Sequence, residues 1–367
     1  MSFMSRLINK ENILHSALKT VKSNGCPVVL CGISPYSLAL SKCMHNMGIN
    51  IDIVAVNRKF VARRPEFLNK RVVAIEDILA RDGKYNYIMG FEQFFVWQQM
   101  EMRRNAAEIV FCDCLFMESN NYEPMSYEYC RQRQDDLDWL EDNLENESSK
   151  ETLAAFLNQR LTGEPWHYPK VYHQGPQYFT QDIMNPDKYD VFLDCGAFNG
   201  DTVLDFLKWK KAAASALPSQ VYAFEPNEDL FRQLTDNVAE LKFCRPLKQG
   251  VGSEKASLRF KPDCRGDSKI SEEGSTIIEV DTIDSVLSGG KADLIKMDIE
   301  GAELSALRGA AKTIEKYGPD LVVCLYHKYE DPFTIPRYIK SLNSSYKLYI
   351  RSHHMFFSTE LVLYAVS

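Results

Sequence analysis

Short apolar runs alternate with amphipathic segments through the second half of the chain. Apolar runs bounded by turn residues predict strands, and apolar residues that recur every three or four positions predict helices. The predicted strands are Val191–Asp194, Val221–Glu225, Leu247–Val251, Leu258–Phe260, Ile277–Val280, Leu294–Asp298, Leu321–Leu325, Lys347–Ile350 and Leu361–Ala365. The predicted helices are Thr202–Lys211, Glu228–Val238 and Gly301–Tyr317. Strand–helix alternation followed by a late pair of strands is typical of a doubly wound α/β sheet with an antiparallel edge strand.

A smaller Rossmann-like α/β unit is predicted before it. Its strands are Val28–Gly32, Ile51–Val56, Val72–Ala74 and Tyr87–Gly90, with a helix over Leu38–Met47 and an amphipathic helix over Met1–Lys22. The first turn keeps Gly32 alone of the three glycines of a dinucleotide-binding turn, and Pro35 and Tyr36 would crowd a pyrophosphate. A scaffold without nucleotide binding is favoured, and docking of a nucleotide sugar or substrate is the alternative.

Between these zones the chain is polar and helical. The acidic run that starts at Asp135 carries Leu137, Leu140 and Leu144 at helical spacing, which indicates a helix with a solvated acidic face. We therefore predict three parts: a Rossmann-like domain over 1–117, a helical connector over 118–177 and a second, larger domain over 178–367.

Charge and composition argue against several classes of protein. The net charge of −7 argues against a general nucleic-acid binder. No apolar run approaches the roughly 18–20 residues needed to cross a bilayer, and the first residues lack a signal-peptide pattern, so a cytoplasmic location is expected. The ten cysteines are scattered and are expected to be free thiols, Cys112 and Cys114 included.

The first candidate site lies where the strand Val191–Asp194 ends. A turn from Gly196 to Gly200 and a helix start follow Asp194, so the backbone can approach a ligand and the helix offers unpaired N–H groups. The residues of this candidate site are Asp194, Gly196, Ala197, Phe198, Asn199, Gly200, Asp201 and Thr202.

Three further strand ends are expected to face the same crevice. Glu225, followed by Pro226, ends the second strand, where an acid can accept both hydroxyls of a ribose. Gly250 and Val251 follow the third, near where an adenine edge would lie. Asp298 ends a central strand.

The residues around Asp298 carry alternatives of their own. Glu300 and Glu303 fall on the opening turn of the next helix, where a functional role and a helix-dipole role are equally favoured. For Lys296 an ion pair with a nearby acid is expected.

Five ordered motifs in the region from Tyr178 to Ser367 resemble the FkbM family of methyltransferases. They are the runs Val191–Thr202, Tyr222–Asn227, Val280–Asp284, Leu294–Glu303 and Tyr326–Asp331. The resemblance implies a Rossmann-like methyltransferase sheet, S-adenosylmethionine as cofactor, and O-methylation of a sugar, polyketide or related product. It also implies that Asp194, Gly196, Phe198 and Gly200 to Thr202 surround the methionine portion and the ribose. Glu225 would hold the ribose diol, and Asp298 would flank the methyl donor.

Methyl transfer to a hydroxyl benefits from a general base, and His327 and Asp298 are the candidates. His327 follows the strand Leu321–Leu325 and precedes Glu330 and Asp331, and a role in fixing its loop is the alternative. A metal site at His353 and His354 is disfavoured because no carboxylate ligand is evident nearby, and no metal is predicted.

An O-methyltransferase acting on a sugar hydroxyl, a polysaccharide precursor or a glycosylated metabolite is therefore the leading hypothesis. A cofactor-binding scaffold for glycan assembly without turnover and an NAD-linked oxidoreductase are the alternatives. The expected partner is a small-molecule or glycan acceptor, with no nucleic acid and no membrane span, and homo-oligomer formation is left open.

Overall fold

The computed structural model describes residues 2–90, 101–111, 113, 124–261, 269–270, 274 and 276–367. The chain divides into two compact units. The first comprises residues 1–134, 152–172 and 354–359, and the second comprises residues 135–151, 173–353 and 360–367. The chain therefore passes between the units several times, and residues 118–177, predicted as one connector, are divided between both. Cys112 and Cys114 lie outside the described residues.

A six-stranded sheet forms the centre of the first unit. Its strands are β1 (Val28–Cys31), β2 (Ile53–Val56), β3 (Glu66–Phe67), β4 (Lys70–Ala74), β5 (Tyr85–Met89) and β6 (Ala106–Val110). Their order is β3-β4-β2-β1-β5-β6, and all neighbours are parallel except β3 and β4. The predicted smaller α/β unit is confirmed, although the sequence pattern missed β3 and β6.

Helices connect these strands. They are α1 (Ile13–Asn24), α2 (Pro35–Asn46), α3 (Arg58–Val61), α4 (Ile75–Leu79) and α5 (Tyr127–Arg131). The helix predicted over Met1–Lys22 is wrong in its first half, since residues Phe3–Arg6 form a 3-10 turn. The Asn12 side chain accepts a hydrogen bond from Leu14 N at 2.9 Å, and this cap fixes the start of α1.

Two more helices follow in the chain, α6 (Gln134–Asn143) and α7 (Glu147–Thr162). In α6 the apolar residues Leu137 and Leu140 are buried beneath the acidic run, as their spacing predicted.

A seven-stranded sheet forms the centre of the second unit. Its strands are β7 (Val191–Cys195), β8 (Gln220–Phe224), β9 (Cys244–Leu247), β14 (Leu294–Met297), β15 (Asp320–Cys324), β16 (Lys347–Ser352) and β17 (Leu361–Val366). Their order is β16-β17-β15-β14-β7-β8-β9. The five strands from β15 to β9 are parallel, and β17 is antiparallel to both of its neighbours, β15 and β16. The predicted doubly wound sheet with an antiparallel edge is confirmed.

The remaining strands form a second, four-stranded sheet in this unit. They are β10 (Gly250–Val251), β11 (Ala256–Lys261), β12 (Lys269–Ile270) and β13 (Thr276–Asp281), in the order β10-β13-β11-β12. The single strand predicted over Leu247–Val251 is therefore two, because β9 pairs with β8 whereas β10 pairs with β13.

The helices of the second unit are α8 (Asp201–Ala212), α9 (Glu228–Asn237), α10 (Ile283–Leu287), α11 (Glu303–Gly309), α12 (Ala311–Tyr317) and α13 (Asp331–Leu342). The predicted helix Gly301–Tyr317 is interrupted at Ala310. A Cβ atom at Gly309 would lie 1.9 Å from Gly252 O, so the chain passes very close to another backbone there. The pattern missed α13, whose interior Pro336 argues against a helix in the sequence.

The central strands of the seven-stranded sheet are apolar because both of their faces are buried. All residues of β7, β14 and β15 are buried, as expected for parallel strands covered on both faces. Asp194, Lys296 and Asp320 are charged residues within these strands. Across the described residues, no helix is long and apolar enough to cross a membrane.

Candidate active site

The carboxyl ends of β7 and β14 meet at Gly196. Its φ is +83°, and a Cβ atom built there would lie 1.9 Å from the carbonyl oxygen of Asp298. Asp298 N in turn donates a hydrogen bond to Cys195 O at 3.1 Å. Glycine is required here because a side chain would separate the two strand ends.

A buried ion pair lies directly beneath this contact. Lys296 Nζ is 3.1 Å from Asp194 Oδ1 and donates a hydrogen bond to Gly196 O at 2.8 Å. The ammonium group also lies 5.0 Å from the centre of the Tyr178 ring. Burial outweighs the lysine and raises the pKa of Asp194 to about 6. The predicted ion pair of Lys296 is confirmed, and it connects the strand end to the turn that follows.

The turn after β7 is held by its backbone. Gly196 N and Ala197 N both donate to Phe224 O, at 3.1 and 2.9 Å. Phe198 and Gly200 adopt left-handed conformations, with φ of +47° and +90°. Asn199 O accepts a hydrogen bond from Asn237 Nδ2 at 2.8 Å. Gly200 then precedes α8 without a side-chain cap, and Asp201 Oδ1 accepts the N–H of Thr202 at 2.7 Å.

Glu225 joins this turn to the end of β8. Its Oε2 accepts a hydrogen bond from Phe198 N at 3.1 Å, and its Oε1 accepts one from Asn227 N at 2.8 Å. Burial raises the pKa of Glu225 to about 7, although both N–H groups favour the ionised form. Pro226 follows and directs the chain to α9, which Asn227 caps. The structure thus brings Glu225 and the predicted glycine turn together.

Asp298 lies at the centre of a cluster of polar side chains. Tyr178 donates to its Oδ2 at 2.7 Å, and Tyr326 donates to its Oδ1 at 3.3 Å. Burial opposes ionisation, but Lys296 and His327 outweigh it and lower the pKa of Asp298. The Tyr326 hydroxyl also lies 3.4 Å from Glu360 Oε1, and Glu360 Oε2 accepts a hydrogen bond from Gln177 Nε2.

His327 contacts three carboxylates. Its Nε2 lies 3.4 Å from Asp298 Oδ1 and 3.5 Å from Glu300 Oε2, and its Nδ1 lies 2.9 Å from Glu303 Oε1. Burial disfavours the charged imidazole, but Glu303, Glu300 and Asp298 outweigh burial and raise the pKa of His327 to about 10. Glu303 Oε1 also accepts the N–H of Ile299 at 2.9 Å, so one buried carboxylate holds both the turn after β14 and the imidazole.

The structure does not gather every predicted residue. Gly250 and Val251 lie on β10 in the four-stranded sheet, outside the two clusters of hydrogen-bonded residues around Glu225 and Asp298. His353 lies in the second unit and His354 in the first. His353 Nε2 is 2.8 Å from Tyr364 OH, and burial lowers the pKa of His353 to about 3.

Three residues of the site were missed by the sequence reasoning: Gln177, Tyr178 and Glu360. None of them follows a parallel strand. Gln177 and Tyr178 precede the motifs, and Glu360 lies just before β17 with a φ of +54°. An acid next to an apolar strand, at Glu360, was the one signal that the sequence offered.

Comparison with known proteins bears on the resemblance seen in the sequence motifs. Residues 194–347 match the family model described as "Methyltransferase FkbM domain". The hexuronic acid methyltransferase AglP of Haloferax volcanii is 29% identical over 141 residues, which cover 36% of this chain and 58% of that protein.

One solved structure extends the likeness to the fold. A crystal structure of methyltransferase FkbM from Methylobacillus flagellatus KT has a TM-score of 0.70 at 18% identity, over 96% of this chain and 98% of that one. An rRNA methylase from Streptococcus thermophilus has a TM-score of 0.32 at 14% identity, over 49% of this chain and 86% of that one. The predicted resemblance to the FkbM methyltransferases is confirmed over residues 194–347, which match the methyltransferase FkbM domain.

Proposed function

We propose that this protein transfers a methyl group from S-adenosylmethionine to a hydroxyl oxygen of a carbohydrate. The observation that carries the proposal is the position of two acidic centres at the ends of the strands on either side of β7. Glu225 follows β8 and is bonded to the turn after β7, and Asp298 follows β14 beside His327. β7 lies between β8 and β14 and pairs with both, so the two centres flank one strand end.

The residues present fit the cofactor. Glu225 uses one hydrogen bond on each oxygen, which leaves lone pairs for the two ribose hydroxyls. At the N-terminus of α8 the N–H groups of Asp201 and Thr202 are accepted by Asn199 Oδ1 and Asp201 Oδ1, so side chains of the turn itself satisfy the start of this helix. Asp298 and Glu300 place negative charge on the opposite side, where a sulfonium cation is favoured.

When bound, S-adenosylmethionine supplies an electrophilic methyl group. The chain has to hold the acceptor oxygen in line with it, and such positioning contributes roughly 7–11 kcal/mol in well-oriented systems. The rigid contact of Gly196 with Asp298 and the ion pair of Lys296 fix the two sides of the crevice for this purpose.

His327 and Asp298 are the residues we propose to handle the acceptor proton. With a pKa of about 10, the imidazole keeps its own proton at neutral pH in the ligand-free protein. Further positive charge beside Asp298 and Glu300 lowers that pKa, so we expect His327 to become a base only when the site is filled.

A sugar acceptor is supported by the similarity to a hexuronic acid methyltransferase over 36% of this chain. A cytoplasmic location, the finer choice of acceptor and homo-oligomer formation stay predictions.

The test is methyl transfer from isotope-labelled S-adenosylmethionine, followed by mass spectrometry, to a panel of hexuronic acids, neutral sugars and sugar nucleotides. We expect transfer to at least one sugar, loss of transfer in Glu225→Gln, and wild-type transfer in Glu254→Gln, which alters an exposed acid of the same unit. Binding of NAD in preference to S-adenosylmethionine would overturn the proposal. Tight cofactor binding without transfer to any acceptor would instead favour a scaffold.

A further inference from the structure

We propose that Asp298, Glu300 and His327 bind a divalent transition-metal cation, of which Mn²⁺ is the representative probe, and that this cation takes an acceptor hydroxyl as a further ligand. The second clause rests on the proposed function, whereas cation binding stands on its own. The sequence predicted no metal, because it does not show that these three side chains converge.

The distances between the donor atoms fit a metal site. Nε2 of His327 is 3.4 Å from Asp298 Oδ1 and 3.5 Å from Glu300 Oε2, and one donor atom from each residue lies within 4.8 Å of the others. Metal bonds of about 2.0–2.2 Å place neighbouring ligand atoms roughly 3.0–3.6 Å apart. The three groups therefore need small shifts, not a rearrangement, to share one ion.

A separate observation concerns the far side of the imidazole. Glu303 is fully buried, and its Oε1 lies 2.9 Å from His327 Nδ1 while it also accepts Ile299 N. Metal-bound histidines commonly donate their second ring N–H to a carboxylate, which fixes the tautomer and directs the other nitrogen at the ion. Here Glu303 Oε1 lies beside Nδ1, while Nε2 lies within 3.5 Å of Asp298 and Glu300.

The exposure and the donor atoms of the three side chains also suit a metal site. The His327 side chain is 3% exposed, whereas those of Asp298 and Glu300 are 22% and 25% exposed, so an ion can enter from the carboxylate side. One imidazole with two carboxylates suits Mn²⁺ and related ions, and three protein ligands leave positions for substrate oxygens. A cation there would orient a polyhydroxylated acceptor and favour loss of its hydroxyl proton to solvent, and His327 would then act as a ligand and not as the base.

The experiment measures Mn²⁺ binding to chelator-treated, full-length protein by electron paramagnetic resonance of the free ion. We expect one Mn²⁺ per chain. Glu300→Gln and His327→Gln should weaken binding at least tenfold, Glu303→Gln by roughly ten- to a hundredfold, and Glu254→Gln not at all. Circular dichroism and calorimetry with S-adenosylhomocysteine check that each variant is folded.

Absence of Mn²⁺ binding in the wild type, or unchanged binding in both Glu300→Gln and His327→Gln, would overturn the inference. The two proposals fail separately. Full methyl transfer in excess EDTA by a protein that binds no Mn²⁺ contradicts the cation site alone. A metal-binding protein that methylates no acceptor contradicts the proposed function and leaves the cation site standing.

Discussion

Replacing Lys296 by methionine tests whether the buried ion pair holds the cofactor side of the site. The substitution keeps most of the side-chain volume but removes the charge 3.1 Å from Asp194 and the hydrogen bond to Gly196 O. Asp194 is fully buried and Lys296 is 2% exposed, so water cannot take over either contact.

The expected loss of stability is large. Breaking one partner of a buried pair typically destabilises a protein by about 3–5 kcal/mol. A surface pair gives the matched control: Lys291 lies 3.3 Å from Asp293 with half of its side chain exposed, and Lys291→Met should change stability by less than about 1 kcal/mol.

The effect should depend on pH in a defined direction. The pKa of Asp194 is raised to about 6, so at pH 7 the wild type has an ionised aspartate that needs its lysine, and below about pH 5 the aspartate is mostly protonated. Ionisation of an acid whose folded-state pKa is raised lowers stability as pH rises through that range, and more so without Lys296. The difference between wild type and Lys296→Met should therefore be greatest above pH 6 and shrink toward pH 4.

Urea unfolding followed by tryptophan fluorescence measures these differences, since Trp209 is buried in the second unit. The double variant Lys296→Met with Asp194→Asn should be more stable than the sum of the single losses predicts, because no unpaired charge remains. If Lys296→Met destabilises the protein no more than Lys291→Met at pH 7, the buried ion pair does not stabilise the cofactor side of the site.

Three further predictions concern the same crevice. Calorimetry should show the affinity for S-adenosylhomocysteine falling by up to about tenfold per unit below pH 7, because Glu225 has a pKa of about 7 and binds as the carboxylate; a Glu225→Gln variant that kept this slope would contradict the assignment. Gly196→Ala should destabilise the protein by about 2–5 kcal/mol in urea unfolding, and by more than Gly289→Ala, which has the same φ within a degree but nothing within 4 Å; equal losses would show that φ alone matters. His327→Ala should leave cofactor affinity near wild type and reduce turnover about a hundredfold or more in the methyl-transfer assay, and unchanged turnover would exclude it from the reaction.

Much of the cofactor side could be predicted from the sequence. Asp194, Glu225 and Asp298 each end an apolar run, and parallel strands bring such ends to one edge of a sheet. Even the ion pair of Lys296 was predictable in kind, because a charged residue inside a buried strand needs a partner. Which acid becomes that partner is decided by the register of β14 against β7, which sets Lys296 opposite Asp194.

The part of the site that Tyr178 and Glu360 form could not be predicted in the same way. Tyr178 and Glu360 contact the site from segments distant in sequence, and no short motif links them to Asp298. The helix expected from Gly301 to Tyr317 breaks where Gly309 meets Gly252, a contact between residues 57 positions apart.

The amino-acid sequence alone specified most of the strands, the glycine turn and the acids that follow them, because hydrophobic periodicity and backbone sterics act between near neighbours. Only the tertiary structure decided that Glu303 holds His327 and directs it at Asp298 and Glu300. Such convergence depends on side-chain distances across strands and turns, and these are set by packing and register rather than by local pattern.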